Sequence, residues 1–429
     1  MHTVSTFLRP ALVPVAFSLL FASTPVPAQE DAHERQDKQV LASRFAQHEA
    51  AFEKVWKTTQ DHFYDTKMNG VDWNVVKQKY KPLLREAVTK PQFADLMKRM
   101  LEELHVSHTD YLTDDDYGFY MFPSVISGQV TGNEAGHIGI TGRSVKGGYE
   151  VTAVLDDSPA EKSGLEIGDI IIGAEGKPFT TVGSFRGKEG KSVTLQVLRL
   201  GSVKQMEVVP VKENILGAFL RATEKSAKII EIGGKRIGYL HLWTMGTDAF
   251  KTAMQSAVMG KLYRTDGLIL DIRDGFGGRP FGYSDIFHKP AINWRQTMRG
   301  ITTDQKSAYG KPMVLLINGG SRSAKEYFAF EFKKTGRATL VGTTTAGAFL
   351  GASGYPISKE GFLEIPIVSL TLDGRKLEGK GVSPDIEVKP STPGSKDDAQ
   401  LKKAQEVLLQ KIKIAPPTGE REVIIEANF

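Results

Sequence analysis

Apolar residues recur with a helical period over the N-terminal part of the chain. Phe52, Val55 and Trp56 stand at i, i+3 and i+4, and Trp73, Val76 and Tyr80 continue the pattern after a turn at Asn69-Gly70. Phe93, Leu96, Met97, Met100, Leu101 and Leu104 form one broad stripe, with Thr89 as the expected cap and Pro91 in the first turn. The spacing predicts helices from Ala51 to His105, after a polar stretch over 29–50 that reads as a loose lead-in or as first helical turns. Near Gly132 the texture changes. Short β-type runs, His137–Thr141, Tyr149–Leu155, Ile170–Ala174, Val193–Leu200 and Gln205–Val211, alternate with glycine turns. Past Leu216 apolar strands alternate with helical spacing. Ile237–Leu242, Gly267–Ile272, Met313–Ile317 and Ala338–Val341 read as strands, and Ala249–Leu262 and Ala324–Thr335 as helices. Continuous apolar runs between helices predict a buried, mostly parallel sheet. Asp397–Ile412 has the spacing of a basic amphipathic helix and is expected to lie solvated on the surface.

Met1–Ala28 breaks this pattern. Arg9 precedes an apolar stretch, Ala11 to Ala22, interrupted by Pro14, and Val26-Pro27-Ala28 suits a signal peptidase. The segment reads as a secretory leader, too short to span a bilayer well. Composition narrows the class further. With 40% hydrophobic and 24% charged residues, the chain is neither disordered nor polytopic. A net charge of +5 over 429 residues, without a basic tract, gives no reason to expect nucleic acid as a partner. The absence of cysteine excludes disulfides, a thiol nucleophile and thiolate metal sites. An exported chain without disulfides suits a bacterial periplasm or cell envelope.

Four places could carry chemistry. Ser323 lies between the strand Met313–Ile317 and the helix Ala324–Thr335. A side chain there meets the free N–H groups and partial positive charge of a helix start, which would stabilise an oxyanion. A serine at that place also serves as an ordinary N-cap. Gly275–Gly278 follows an apolar strand, where glycine lets backbone N–H groups approach a substrate. Its spacing fits neither a dinucleotide fingerprint nor a P-loop. Ser107-His108 closes the helical module, and its imidazole could take a proton from a serine hydroxyl. Glu378, in Leu377-Glu378-Gly379-Lys380-Gly381, reads by itself as a loop acid.

Two resemblances join these places. The segment Ser158-Pro159-Ala160-Glu161-Lys162-Ser163-Gly164-Leu165-Glu166-Ile167-Gly168-Asp169 closely resembles a PDZ domain of the bacterial protease type. By resemblance, Gly136, His137, Ile138, Gly139 and Ile140 form a nest of N–H groups for a peptide's C-terminal carboxylate. From about Phe52 to Val388, the order of helical module, PDZ block, glycine-rich strand loop, nucleophile helix and "GVSPD" resembles the carboxy-terminal processing, or tail-specific, serine proteases. The closer likeness is to the tricorn-core subgroup. One pattern in that family pairs the serine with a lysine, but Ala348 stands at the lysine's place. Lys325, two residues after Ser323 on the helix, points to another face. The other pattern is a Ser–His–Ser–Glu tetrad. Ser107-His108 matches it and implies Ser323 as nucleophile, His108 as base, Ser107 as relay and Glu378 as the charge behind it. The oxyanion hole implied is Ala324 with Gly277.

The resemblance implies a multidomain α/β protein without metal or organic cofactor. The expected parts are a leader (1–28), a helical module (29–131), a PDZ domain (132–212), a crotonase-like ββα protease core (213–392) and a helical tail (393–429). The expected activity is that of an exported serine endopeptidase acting on peptides or protein tails with a free C-terminus. The PDZ is expected to capture them away from Ser323. Lys325→Ala is expected to be mild, and Glu378 is expected to raise the pKa of His108, placing the acid limb of activity between about pH 6 and 8. Two other readings are a PDZ scaffold on an inactive core, motivated by Ala348, and a carrier of apolar ligands.

Overall fold

The computed structural model describes residues 32–130, 134–288, 293–299, 301–306, 308–392 and 397–414, so the leader 1–28 lies outside the described residues. The helical module opens with α1 (Ala32–His62), which begins well inside the expected polar lead-in. It continues through α2 (Trp73–Tyr80) and α3 (Lys90–Glu102). Thr89 caps α3 as expected, in a reciprocal box with Gln92. The stripe Phe93, Leu96, Met97, Met100, Leu101 and Leu104 is buried. It packs on residues far along the chain, Ile357, Leu363 and Ile365. The link is β1 (Asp110–Thr113), a strand the helical pattern did not announce. Beyond it α4 (Tyr117–Ser127) leads to the next domain.

That domain is an antiparallel sheet. The expected run His137–Thr141 is split into β2 (Glu134–His137) and β3 (Ile140–Val145). Gly139, at φ 78°, makes the break. Then follow β4 (Gly148–Val154), the short helix α5 (Pro159–Ser163), β5 (Ile170–Ala174), β6 (Lys177–Pro178), β7 (Val193–Arg199), β8 (Ser202–Val208) and β9 (Val211–Asn214). The sheet order is β3-β4-β5-β7-β8, while β2 pairs with β9 and so joins the entrance of the domain to its exit. Among the described residues, strand β3 pairs only with β4 and lies at the edge of this sheet.

The core begins with α6 (Ile215–Ser226), β10 (Lys228–Ile232), β11 (Lys235–His241), β12 (Thr244–Met245) and α7 (Asp248–Met259). It continues with β13 (Gly267–Asp271), β14 (Phe276–Gly278), the hairpin β15 (Asn293–Met298) and β16 (Ile301–Lys306), and β17 (Met313–Ile317). Last come α8 (Ala324–Thr335), β18 (Thr339–Gly342), β19 (Leu350–Pro356), β20 (Gly361–Ser369), β21 (Ile386–Glu387) and α9 (Ala399–Ile414). The main sheet has the order β10-β11-β13-β17-β18-β21 and is parallel except for β10. Leu268 and Leu270 face Phe250, Phe328 and Phe332 on one side, and Ile269 faces the other. That second side is covered by α9 through Ala404, Val407 and Leu408. The expectation of a solvated C-terminal helix is therefore overturned: its apolar stripe closes the sheet. A separate sheet, β1-β20-β19, sets Asp110 opposite Glu364 and ties the helical module to the core. Among the described residues, no helix is long and apolar enough to cross a membrane.

Leu408 is fully buried between α9 and the sheet. Leu408→Ala should cost about 2–5 kcal/mol, measured by chemical denaturation. A change under 0.5 kcal/mol would show that α9 is dispensable to the core.

Candidate active site

The loops that end β13 and β17 lie side by side. Asn318 accepts from the Asp274 N–H at 3.0 Å and from the Gly320 N–H at 2.9 Å, and its amide donates to Asp274 Oδ1 at 3.0 Å. The buried Ser321 hydroxyl donates to the Ile272 carbonyl at 2.9 Å. These bonds hold the turn before α8 against the glycine loop. Ser323 occupies the N-cap position of α8, but at φ 58° and ψ −121°, far from the extended conformation usual at an N-cap. Such a backbone is strained for a serine and is kept only where its surroundings over-determine it. Here they do. The Ser323 N–H donates to the Ala348 carbonyl at 3.0 Å and to Glu326 Oε2 at 3.2 Å.

Gly277 lies directly against this turn. A Cβ placed on it would stand 2.4 Å from Ser323 Cβ and 3.0 Å from the Ala324 nitrogen, so only glycine fits. Its carbonyl accepts from the Thr244 hydroxyl at 2.8 Å, which fixes the peptide plane. Gly278, at φ 133°, packs instead against the Met245 carbonyl.

His108 comes from the other end of the chain. Strand β1, paired with β20, delivers it to the same cleft as Ser323, of about 940 Å³. Its Nδ1 is 2.8 Å from Ser107 Oγ, and that hydroxyl is 3.0 Å from Glu378 Oε2. Glu378 also accepts the Ser107 N–H at 2.9 Å and the Phe349 N–H at 2.6 Å. A hydroxyl has one proton. If it goes to the carboxylate, Nδ1 carries the ring proton and Nε2 keeps the lone pair a base requires. Ser323, His108, Ser107, Glu378, Ala324 and Gly277 are thus gathered at one place.

The electrostatics differ from the expectation. Burial, and after it the Arg322 guanidinium, hold the His108 pKa down to about 3, so the expected rise caused by Glu378 is overturned. Lys325 points away from Ser323, as its place two residues along the helix implies, and into the interior. Its ammonium is fully buried and donates to the Trp243 carbonyl at 2.9 Å and the Asp274 carbonyl at 2.5 Å. Burial pulls its pKa to about 7, against the pull of Asp274 and Asp271 in the other direction. It does not reach Ser323 but pins the strand and turn that carry Gly277. Glu326, which the sequence reading passed over, is also buried. It accepts from Thr345 Oγ1 at 2.7 Å, the Gly347 N–H at 2.7 Å and the Ala348 N–H at 2.8 Å. The Ser-x-x-Glu spacing from Ser323 to Glu326 is the signal that could have found it. Ala348 is buried in the loop that Glu326 shapes, so no amine stands there.

The PDZ nest is not open. Gly136 and His137 belong to β2 and pair with β9. The N–H of Gly139 donates to the hydroxyl of Tyr117, from α4, at 3.3 Å, and the backbone of Ile138 and Ile140 also faces that hydroxyl. The chain just before it is bonded to the PDZ domain as well: the Val182 N–H donates to the Asp115 carbonyl at 3.0 Å. Nor is the PDZ remote. Thr141, Gly142, Arg143 and Ser144 of β3 line the cleft that holds Ser323.

A strained serine at a helix start, with a buried histidine across the cleft, defines a serine-type peptidase architecture, and comparison with known proteins agrees. Residues 236–388 match peptidase family S41, residues 45–102 the tricorn protease C1 domain, and residues 136–209 a PDZ domain. Tricorn protease homolog 1 of Streptomyces coelicolor is 27% identical over 398 residues, 85% of this chain and 35% of that protein. The carboxyl-terminal-processing protease of Synechocystis is 24% identical over 80% of this chain and 82% of its own length. Among solved structures, the photosystem II D1 C-terminal processing protease superposes with a TM-score of 0.51 at 20% identity, covering 84% of this chain and 97% of that one. The tricorn protease superposes with 0.51 at 17% identity, over 86% of this chain and 37% of that one. The chain spans about a third of the tricorn homologue's length and most of the Synechocystis protease. The chain carries a peptidase family S41 domain over 236–388, preceded by tricorn C1 and PDZ domains.

Lys325→Met keeps the stem and removes the ammonium, leaving the Asp274 carbonyl unpaired while the Trp243 carbonyl keeps the Phe276 N–H at 3.1 Å. It should destabilise the protein by about 1–3 kcal/mol and lower kcat, measured by thermal unfolding and peptide cleavage. Native stability and rate in this variant would return Lys325 to the mild role first expected.

Proposed function

We propose that this chain is an exported serine endopeptidase that cuts extended peptides and unfolded protein tails by acyl transfer through Ser323. His108 Nε2 takes the Ser323 hydroxyl proton as Oγ attacks the scissile carbonyl carbon. The N–H groups of Ala324 and Gly277 receive the oxyanion. The His108 imidazolium then protonates the leaving amine, and water repeats the sequence to release the acyl group. Glu378, acting through Ser107, holds the ring in one tautomer and stabilises its charged form. The observation that carries this reading is the hydrogen-bonded chain Glu378–Ser107–His108, set in one cleft with Ser323.

The finer parts of the reading rest on different supports. The division at 28, 131, 212 and 392 follows the change of texture along the chain. A crotonase-like core is supported by the repeated passage from strand to helix around the main sheet. Export to a bacterial envelope is supported by Arg9 and the apolar run after it. A silent PDZ scaffold draws its support from Ala348, and a histidine base removes the need for a lysine there.

Ser323→Ala should abolish cleavage of unfolded protein substrates and labelling by a fluorophosphonate, with stability changed by no more than about 1 kcal/mol. His108→Ala should match that loss of cleavage. Undiminished turnover in Ser323→Ala would end the acyl-transfer reading.

A pH profile tests the base. His108 must be neutral to act, and its lowered pKa keeps it so in mildly acidic solution. The acid limb of kcat/KM should therefore fall well below the value of about 6.5 for an ordinary histidine, with a flat profile from about pH 6 to 8. An acid limb centred near pH 7 would mean that His108 is neither desolvated nor opposed by Arg322 in the working enzyme.

A further inference from the structure

We propose that the guanidinium of Arg322 is the receptor, inside the catalytic cleft, for a carboxylate of the substrate chain. This rests on the serine-peptidase reading and adds the class of substrate that the cleft selects. Three cations line the cleft among the described residues. Lys98 pairs with Asp110 at 3.3 Å and Arg143 with Glu150 at 2.8 Å. Arg322 is half-buried, and its guanidinium makes no hydrogen bond or ion pair with any described residue. An unpaired guanidinium in a largely apolar cleft is costly to keep, and a carboxylate offers it a bidentate partner. The acid within its electrostatic reach is a poor competitor. Glu364 lines the same cleft but is buried, forms no ion pair with Arg322, and is held by burial with its pKa up at about 7 despite the guanidinium.

The position sets the reach. Arg322 immediately precedes Ser323, and an extended chain advances about 3.3–3.6 Å per residue, so the carboxylate would lie within about two residues of the scissile bond. Two sources supply that chemistry: an acidic side chain beside the scissile bond, or the terminal carboxylate of a short tail. The PDZ nest is not a rival receptor in this state, because the Tyr117 hydroxyl occupies it.

The test is binding to the full chain carrying Ser323→Ala, read by fluorescence anisotropy with labelled peptides of one extended sequence. One peptide is neutral and amidated. A second has a free terminal carboxylate, and a third has an internal aspartate in place of asparagine. At least one carboxylate peptide should bind about tenfold more tightly than the neutral one, and which of the two does so identifies the source. Adding Arg322→Gln should bring that ratio close to one, while Arg322→Lys should retain part of it. Equal binding of all three peptides, or a preference that survives Arg322→Gln, overturns the proposal. Fluorophosphonate labelling of the native chain tests Ser323 separately, so failure of the acyl-transfer reading is distinguishable from failure of this one.

Discussion

The Glu378 carboxylate joins parts of the chain that share no local structure. It accepts both the N–H and the hydroxyl of Ser107, 271 residues away, and the N–H of Phe349 beyond α8. One charged group thereby locks the end of the helical module to the loop that follows β18. The antiparallel pairing of β1 with β20 makes the meeting possible, because it fixes where the chain after His108 must run. Without that register, Ser107 and His108 would be an ordinary pair at a helix end.

Beneath the cleft, buried charge offsets local strain. Ser323 holds an unfavourable backbone conformation. The groups that stabilise it are its own helix neighbours. Glu326 binds the N–H of Ser323 and two N–H groups of the facing loop, and Lys325 binds two carbonyls of the glycine-loop side. Consecutive residues of one helical turn thus brace opposite walls of the site. Removing either charge leaves polar backbone groups unpaired in a dry interior, which costs more than the bond contributes.

The PDZ domain is built into the wall of the cleft that holds Ser323 rather than appended to it. Its β3 edge forms one wall, and its nest is filled by Tyr117, so the domain and the core share a boundary made by the segment from Asp114 to Tyr117.

Much of the fold was legible because periodicity reports which face of an element is buried. The stripe of α3, its Thr89 cap, the apolar strands β13 and β17, and the glycine-bounded strands of the PDZ follow from spacing and turn chemistry. So does the placement of Ser323 between a strand and a helix. Family resemblance, rather than spacing, linked Ser323 to Ser107, His108 and Glu378. Other features depended on which segments meet. Strand β1 is too short to announce itself beside a strong helical pattern, and α9 looks solvated until the second face of the sheet needs cover. The burial of Lys325 and Glu326, the lowering of the His108 pKa by desolvation and Arg322, and the Tyr117 hydroxyl in the nest all arise from contacts between segments far apart in the chain. Spacing along one segment determines its own amphipathicity. Desolvation and hydrogen-bond partners are set by what packs against that segment, and only the tertiary structure decided those.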